Sequence, residues 1–105
     1  MFSILKKIFS AAGRKNLSNI IQEGAILVDV RSSNEFAQGH VKQSINIPLD
    51  KIEKNLHLLR DKKNIVVFCR SGNRSSQAKI LLHNNGIINV TNGGTWQDVQ
   101  KILNK

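Results

Sequence analysis

Apolar positions along this chain fall into two alternating rhythms. Four short runs, Ala25 to Val30, Ser44 to Pro48, Ile65 to Cys69 and Ile87 to Asn92, have the length and β-branched content of strands. Between them apolar residues recur at helical spacing. Asn16 to Glu23 turns Leu17, Ile20 and Ile21 to one side and stops at Gly24. Ser32-Ser33-Asn34-Glu35 is a capping-box pattern for a short helix that Gly39 ends. Asp50 to Leu59 predicts a helix with Ile52, Leu56 and Leu59 as its stripe, capped by Asp50 with Glu53 at the third position. Ser75 to Asn85 predicts another, carrying Ala78, Leu81 and Leu82 at i, i+3, i+4 and ending at Gly86. Gly93-Gly94 then turns the chain. Thr95 with Asp98 caps a last helix whose inner face holds Trp96, Val99, Ile102 and Leu103. This alternation predicts an α/β fold with three layers: a mostly parallel central sheet and helices on both of its faces.

One junction concentrates the candidate chemistry. The run Ile65-Val66-Val67-Phe68 ends at Cys69, the only cysteine, and polar residues follow: Arg70, Ser71, Gly72, Asn73, Arg74, Ser75. A strand, a turn and a helix in that order place Cys69 where ligands of open α/β sheets bind. Gly72 lets successive amides curl toward one centre as an anion-binding nest. The helix N-terminus and the cations of Arg70 and Arg74 add to that field. Cysteines so placed commonly fall from about 8.5 to about 7 or lower, which makes Cys69 a candidate thiolate nucleophile at neutral pH.

The stretch IVVFCRSGNRS resembles the active-site loop of the rhodanese-type sulfurtransferases, with Cys69, Gly72 and Arg74 in the Cys-x-x-Gly-x-Arg positions. Three upstream segments stand in the family's order: LVDVR at Leu27–Arg31, EFAQGHV at Glu35–Val41 and NIP at Asn46–Pro48. The chain departs from the pattern at Gln43-Ser44, where the family usually has Gly-Ala, and in the one-residue spacing between Gly94 and Trp96. The resemblance implies a rhodanese-like domain over residues 14–105, single and small. It also implies sulfur transfer through a persulfide on Cys69, from thiosulfate or a similar small anionic donor to a thiol or cyanide. Arg70, Ser71, Gly72, Asn73, Arg74 and Ser75 would bind the substrate. It implies no cofactor.

Other polar residues have simpler readings. Asp29 and Arg31 close the first strand, and Asp29 is expected to brace neighbouring loops. Glu35 is accounted for by its capping box. His40 follows Gly39 in a loop, and a structural role is expected for it. No second His or Cys sits at metal-ligand spacing from His40, so metal binding is set aside. His57 and His83 look like surface positions, and Trp96 at helical spacing is expected in the core.

Loop length separates two thiolate chemistries. Cys69 to Arg74 is a six-residue loop, sized for a compact sulfur-bearing anion; cysteine-dependent phosphatases use one residue more and an aspartic acid for the leaving group. Nothing in sequence offers Cys69 a histidine base, which disfavours a protease-like mechanism. A different class stays open: a persulfide carrier or docking module that serves a partner.

Bulk numbers narrow the setting. A chain of 105 residues with 40% hydrophobic and 22% charged residues is sized for one soluble domain. Its formal charge is +9, of which +4 lies in the first 22 residues, at Lys6, Lys7, Arg14 and Lys15 with no acid. Aromatics at 5% do not interleave with the basic residues, so a nucleic-acid partner is not expected. Met1 to Ala12 sets Ile4, Leu5, Ile8, Phe9 and Ala12 on one face and Lys6 and Lys7 on the other. Residues 1–13 therefore read as an amphipathic leader with three uses: a helix docked on the domain, a frayed tail, or an interfacial membrane anchor. The lysine pair breaks any secretory apolar centre, so a cytoplasmic location is expected, and a membrane partner is not.

Overall fold

The computed structural model describes residues 11–104, so most of the amphipathic stretch Met1 to Ala12 lies outside the described residues. Four strands form one all-parallel sheet among the described residues: β1 (Ile26–Asp29), β2 (Ile45–Asn46), β3 (Ile65–Cys69) and β4 (Val90–Thr95), in the order β2-β1-β3-β4. Helices α1 (Ala11–Gln22), α2 (Ser33–Ala37), α3 (Asn73–Asn84) and α4 (Trp96–Leu103) connect and cover them.

The central strand explains the three layers. All five residues of β3 are buried, and their side chains alternate between the two faces. Ile65, Val67 and Cys69 join a core with Val28, Val30, Ile52, Leu59 and the α3 residues Ala78 and Leu82. Val66 and Phe68 point the other way, into a core with Leu17 and Ile21 of α1 and Val99 of α4. Cys69 thus belongs to the α3 face because strand alternation puts it there.

Caps form where the residues invite them. Ser32 Oγ accepts the Glu35 amide while Glu35 Oε1 accepts the Ser32 amide, which is a complete capping box. Thr95 Oγ1 accepts the Asp98 amide at the start of α4.

Four expectations need correcting. The helix expected over Asn16 to Glu23 starts earlier, at Ala11, and ends at Gln22. The helix expected over Asp50 to Leu59 is two 3-10 segments, Leu49–Lys51 and Glu53–Leu58, with no side-chain cap. Asn55 is the cause: its side chain donates to the Lys51 carbonyl at 2.8 Å, the group its own amide would take in an α-helix. Its backbone leaves helical geometry at φ −123°, ψ 21°. The helix expected from Ser75 begins earlier, at Asn73, because Gly72 is its N-cap.

The last strand is also displaced. It spans Val90–Thr95 and runs straight through Gly93-Gly94, where a turn was expected. Val67 pairs with Asn92 but Phe68 pairs with Gly94, so Gly93 is the extra residue of a bulge. A Cβ on Gly93 would stand 2.9 Å from Val66 Cγ1 and 3.0 Å from Val99 Cγ2. Close packing, not turning, is what requires glycine there.

Gln43, where the resembled family usually has glycine, is the one described non-glycine residue with positive φ, at 73°. Left-handed backbone crowds Cβ against the carbonyl. Gln43→Gly is accordingly expected to stabilise the domain by up to about 1 kcal/mol, less the added chain entropy of glycine. An unchanged or lowered urea midpoint would show that Gln43 is held there by contacts that outweigh the strain.

Candidate active site

The end of β3 delivers Cys69 under its own loop. The side chain has no solvent-exposed area, and its sulfur is not sealed in hydrocarbon alone. The Gly72 amide donates to Sγ at 3.0 Å, and Ser75 Oγ lies 3.5 Å away. Burial pushes the thiol up. Against it act the Ser75 hydroxyl and amide and the amides of Ser71 and Gly72, and they hold the thiol below its ordinary value. Gly72 adopts φ 94°, a left-handed conformation that turns its amide back toward the sulfur.

The remaining loop residues divide by direction. Arg70 and Ser71 are exposed, and Asn73 is exposed at the first position of α3. Arg70 makes no ion pair among the described residues and lines a cavity of about 310 Å³ with Arg31, Glu35, Gly39 and Trp96. Arg74 instead turns to α2, where its two terminal nitrogens meet Glu35 Oε1 and Oε2 at 2.6 and 3.0 Å. Much of the charge expected at the anion site is thereby neutralised. Ser75 is wholly buried and bonded inside the protein, so its hydroxyl faces the loop rather than solvent.

Glu35 is more than a cap. The Arg74 hydrogen bonds, opposed by burial and helped by the Ser32 amide and hydroxyl, bring its carboxyl from 4.5 to about 2. The folded value lies below the unfolded one, so the contact stabilises fully above about pH 4.5 and is lost as pH falls toward 2. Its side chain is 30% exposed, and solvent screening leaves about 1 kcal/mol or less. Glu35→Gln is expected to lower the unfolding free energy by that amount at pH 6 and to leave it unchanged near pH 2. An equal loss at both pH values would remove the ion pair as its cause.

Asp29 and Arg31 form a buried brace. The carboxylate accepts the Arg31 amide at 2.9 Å, Nε at 3.0 Å and Nη2 at 2.7 Å. Nη2 also donates to the Gly39 carbonyl at 2.7 Å, and the guanidinium lies 4.7 Å from the Trp96 ring centroid. Trp96, expected in the core, is partly buried and has one side in the cavity. His40 stacks on Phe36 at 3.8 Å and donates through Nδ1 to the Phe36 carbonyl, exposed and engaged with its own helix rather than the loop. His57 and His83 are exposed.

Two asparagines, one at the Asp29–Arg31 brace and one at the loop, escaped sequence reasoning. Asn46 donates through Nδ2 to the carbonyls of Asp29 and Arg31, tying β2 to the brace. Asn92 on β4 accepts from Ser75 Oγ at 2.8 Å and from the Gly94 amide at 2.9 Å, and its Nδ2 reaches the Gly72 carbonyl at 3.4 Å. An asparagine beside a glycine pair reads as turn chemistry, so the only available signal pointed elsewhere.

Comparison with known proteins bears on this arrangement. The rhodanese-like domain family matches residues 14–97. Thiosulfate sulfurtransferase PspE of Escherichia coli is 35% identical over 74 residues, covering 69% of this chain and 71% of that one. A Schizosaccharomyces pombe protein, provisionally named a mitochondrial thiosulfate sulfurtransferase, is 35% identical over 88 residues. That alignment covers 70% of this chain and 62% of the relative, less than two thirds of its length. A solved rhodanese with anions from E. coli superposes with a TM-score of 0.65 at 34% identity, covering 71% of this chain and 91% of that one. The four-stranded parallel sheet, its two helical faces and the matched sequence together make this chain a member of the rhodanese-like domain family.

Proposed function

We propose that the protein is a sulfurtransferase that moves a sulfane sulfur through a persulfide on Cys69. The observation that carries this reading is the Gly72 amide donating to Sγ at 3.0 Å, with the Ser71 and Ser75 amides acting in the same direction. Such a cradle stabilises a sulfur anion without a base. The thiolate attacks the outer sulfur of thiosulfate or a similar donor. A new S–S bond forms to Cys69, the donor's S–S bond breaks, and sulfite leaves with the electron pair. The persulfide anion then rests among the same amides. A thiolate or cyanide takes the terminal sulfur, and the electron pair of the broken S–S bond returns to Cys69. Arg70 is the proposed cation for the donor's charge; its exposure, its lack of an ion pair among the described residues and its position next to Cys69 in the chain support that role. The sulfurtransferase names of the relatives support the reading.

Neither Glu35 nor Asp29, the carboxylates paired beside the loop among the described residues, is free to serve phosphatase chemistry as a proton donor. Glu35 is paired with Arg74 and held at about 2, and Asp29 is buried against Arg31. One observation bears on a second reading, that of a carrier whose turnover waits for a partner: Cys69 has no exposed surface, so the loop must part for donor and acceptor alike, and a docked partner is one means of parting it.

Mass spectrometry after thiosulfate exposure tests the proposal. One added sulfur atom mapped to Cys69 is expected, and an unmodified Cys69 would overturn it. Steady turnover by the isolated protein then favours the enzyme; persulfide without turnover until a partner is added favours the carrier.

A further inference from the structure

Ser75 has one hydroxyl proton and three acceptors around it: Asn92 Oδ1 at 2.8 Å, the Gly72 carbonyl at 3.1 Å and Cys69 Sγ at 3.5 Å. It can serve only one at a time. Asn92 presents its oxygen on that side because the Gly94 amide, which can only donate, faces the same atom. While Cys69 is a thiol, the short bond to Asn92 is the best of the three, and the Ser75 lone pairs are left to the S–H. Once sulfur carries a charge, a charge-assisted bond to it is about twice as strong as a neutral one.

We propose that Ser75 is a two-position hydrogen-bond donor and that Asn92 is the positioning residue that sets its resting position. The hydroxyl rests on Asn92 Oδ1 when Cys69 is protonated, and rotates about its C–O bond to Sγ when Cys69 is a thiolate. Asn92 therefore stabilises the protonated form of Cys69 and gives up its partner on ionisation. The bulge at Gly93 is what brings Asn92 and Gly94 together on the loop: Gly72 packs against Gly94, and a Cβ on Gly72 would stand 3.6 Å from Gly94 Cα. The inference rests on Cys69 as the reactive sulfur, but its test needs no sulfur transfer.

The nearest charges are paired, although the Arg74 cation still feels a charge on Cys69 and favours the thiolate, a contribution that neither Asn92 nor Ser75 controls. Arg74 of α3 is paired with Glu35 of α2, and Asp29 of β1 with Arg31. Arg70 stands exposed on the loop, and β4 carries no titratable side chain. Beyond Arg74, α3 carries only Lys79 and His83, in its later turns.

The test is the pH dependence of Cys69 alkylation by iodoacetamide in the full chain. Asn92→Ala removes a partner that only the thiol state uses, so the midpoint is expected to fall by about half a unit to one unit, the worth of one ordinary hydrogen bond. In a Ser75→Ala background the same substitution is expected to leave the midpoint in place. Asn92→Asp keeps both acceptor contacts, anchors the Ser75 proton more firmly and adds charge, so its midpoint is expected to rise. It also guards against misfolding of the alanine variant. Equal shifts from Asn92→Ala with and without the Ser75 hydroxyl, or no shift at all, would overturn the switch, whatever the outcome of sulfur-transfer assays.

Discussion

Cys69→Ala is expected to reduce sulfur transfer from thiosulfate to the uncatalysed background. The expectation follows from the covalent step, because no other described side chain at the loop can hold a transferable sulfur; Cys69 is the only cysteine of the chain. Removing the sulfur has a second effect. The Gly72 amide, part-buried and bonded to Sγ, loses its acceptor, at a cost of about 1–3 kcal/mol. Lost activity in the alanine variant therefore has to be separated from a loosened loop. Cys69→Ser retains an acceptor for that amide and is expected to be inactive while unfolding close to wild type. The check is a thiosulfate-to-cyanide assay beside urea unfolding of both variants. Activity persisting in either variant would place the chemistry elsewhere.

The second large effect falls on stability. Asp29→Ala is expected to destabilise the domain by about 3–5 kcal/mol, because it strands the Arg31 guanidinium in a buried site. A domain of this kind has about 5–15 kcal/mol in total, so the variant sits near its unfolding threshold at room temperature. The loss does not stop at the pair. Arg31 also bonds the Gly39 carbonyl and lies over Trp96, so β1, the end of α2 and the start of α4 lose a common post. Urea unfolding checks this: the midpoint should fall sharply with the slope unchanged. A loss below about 1 kcal/mol would mean that Arg31 reaches water or another partner once Asp29 is gone.

How much of this was legible in the sequence depends on whether the cause was local. The β3 run, the capping box at Ser32 and Glu35, and the cap at Thr95 and Asp98 act over a few residues, and their patterns survive folding unchanged. The bulge at Gly93 does not, because its reason is the distance to Val66 and Val99 across two layers. The 3-10 geometry at Asn55 depends on one side chain choosing a carbonyl, a choice the apolar stripe of Ile52, Leu56 and Leu59 conceals. At the loop the position of Cys69 could be read, while the fates of its neighbours could not. Arg74 finds Glu35 across 39 residues of sequence, and Ser75 finds Asn92 across 17. Electrostatic partners of that separation leave no periodic trace.

The central claim is that backbone amides hold an anionic sulfur at the end of β3. The pH dependence of Cys69 alkylation in the unmodified protein tests it most directly, with a reagent small enough to enter as the loop parts. The expected midpoint lies below that of an ordinary thiol, about 8.5. A midpoint at or above that value would show that burial outweighs the amides and that the loop does not stabilise a thiolate.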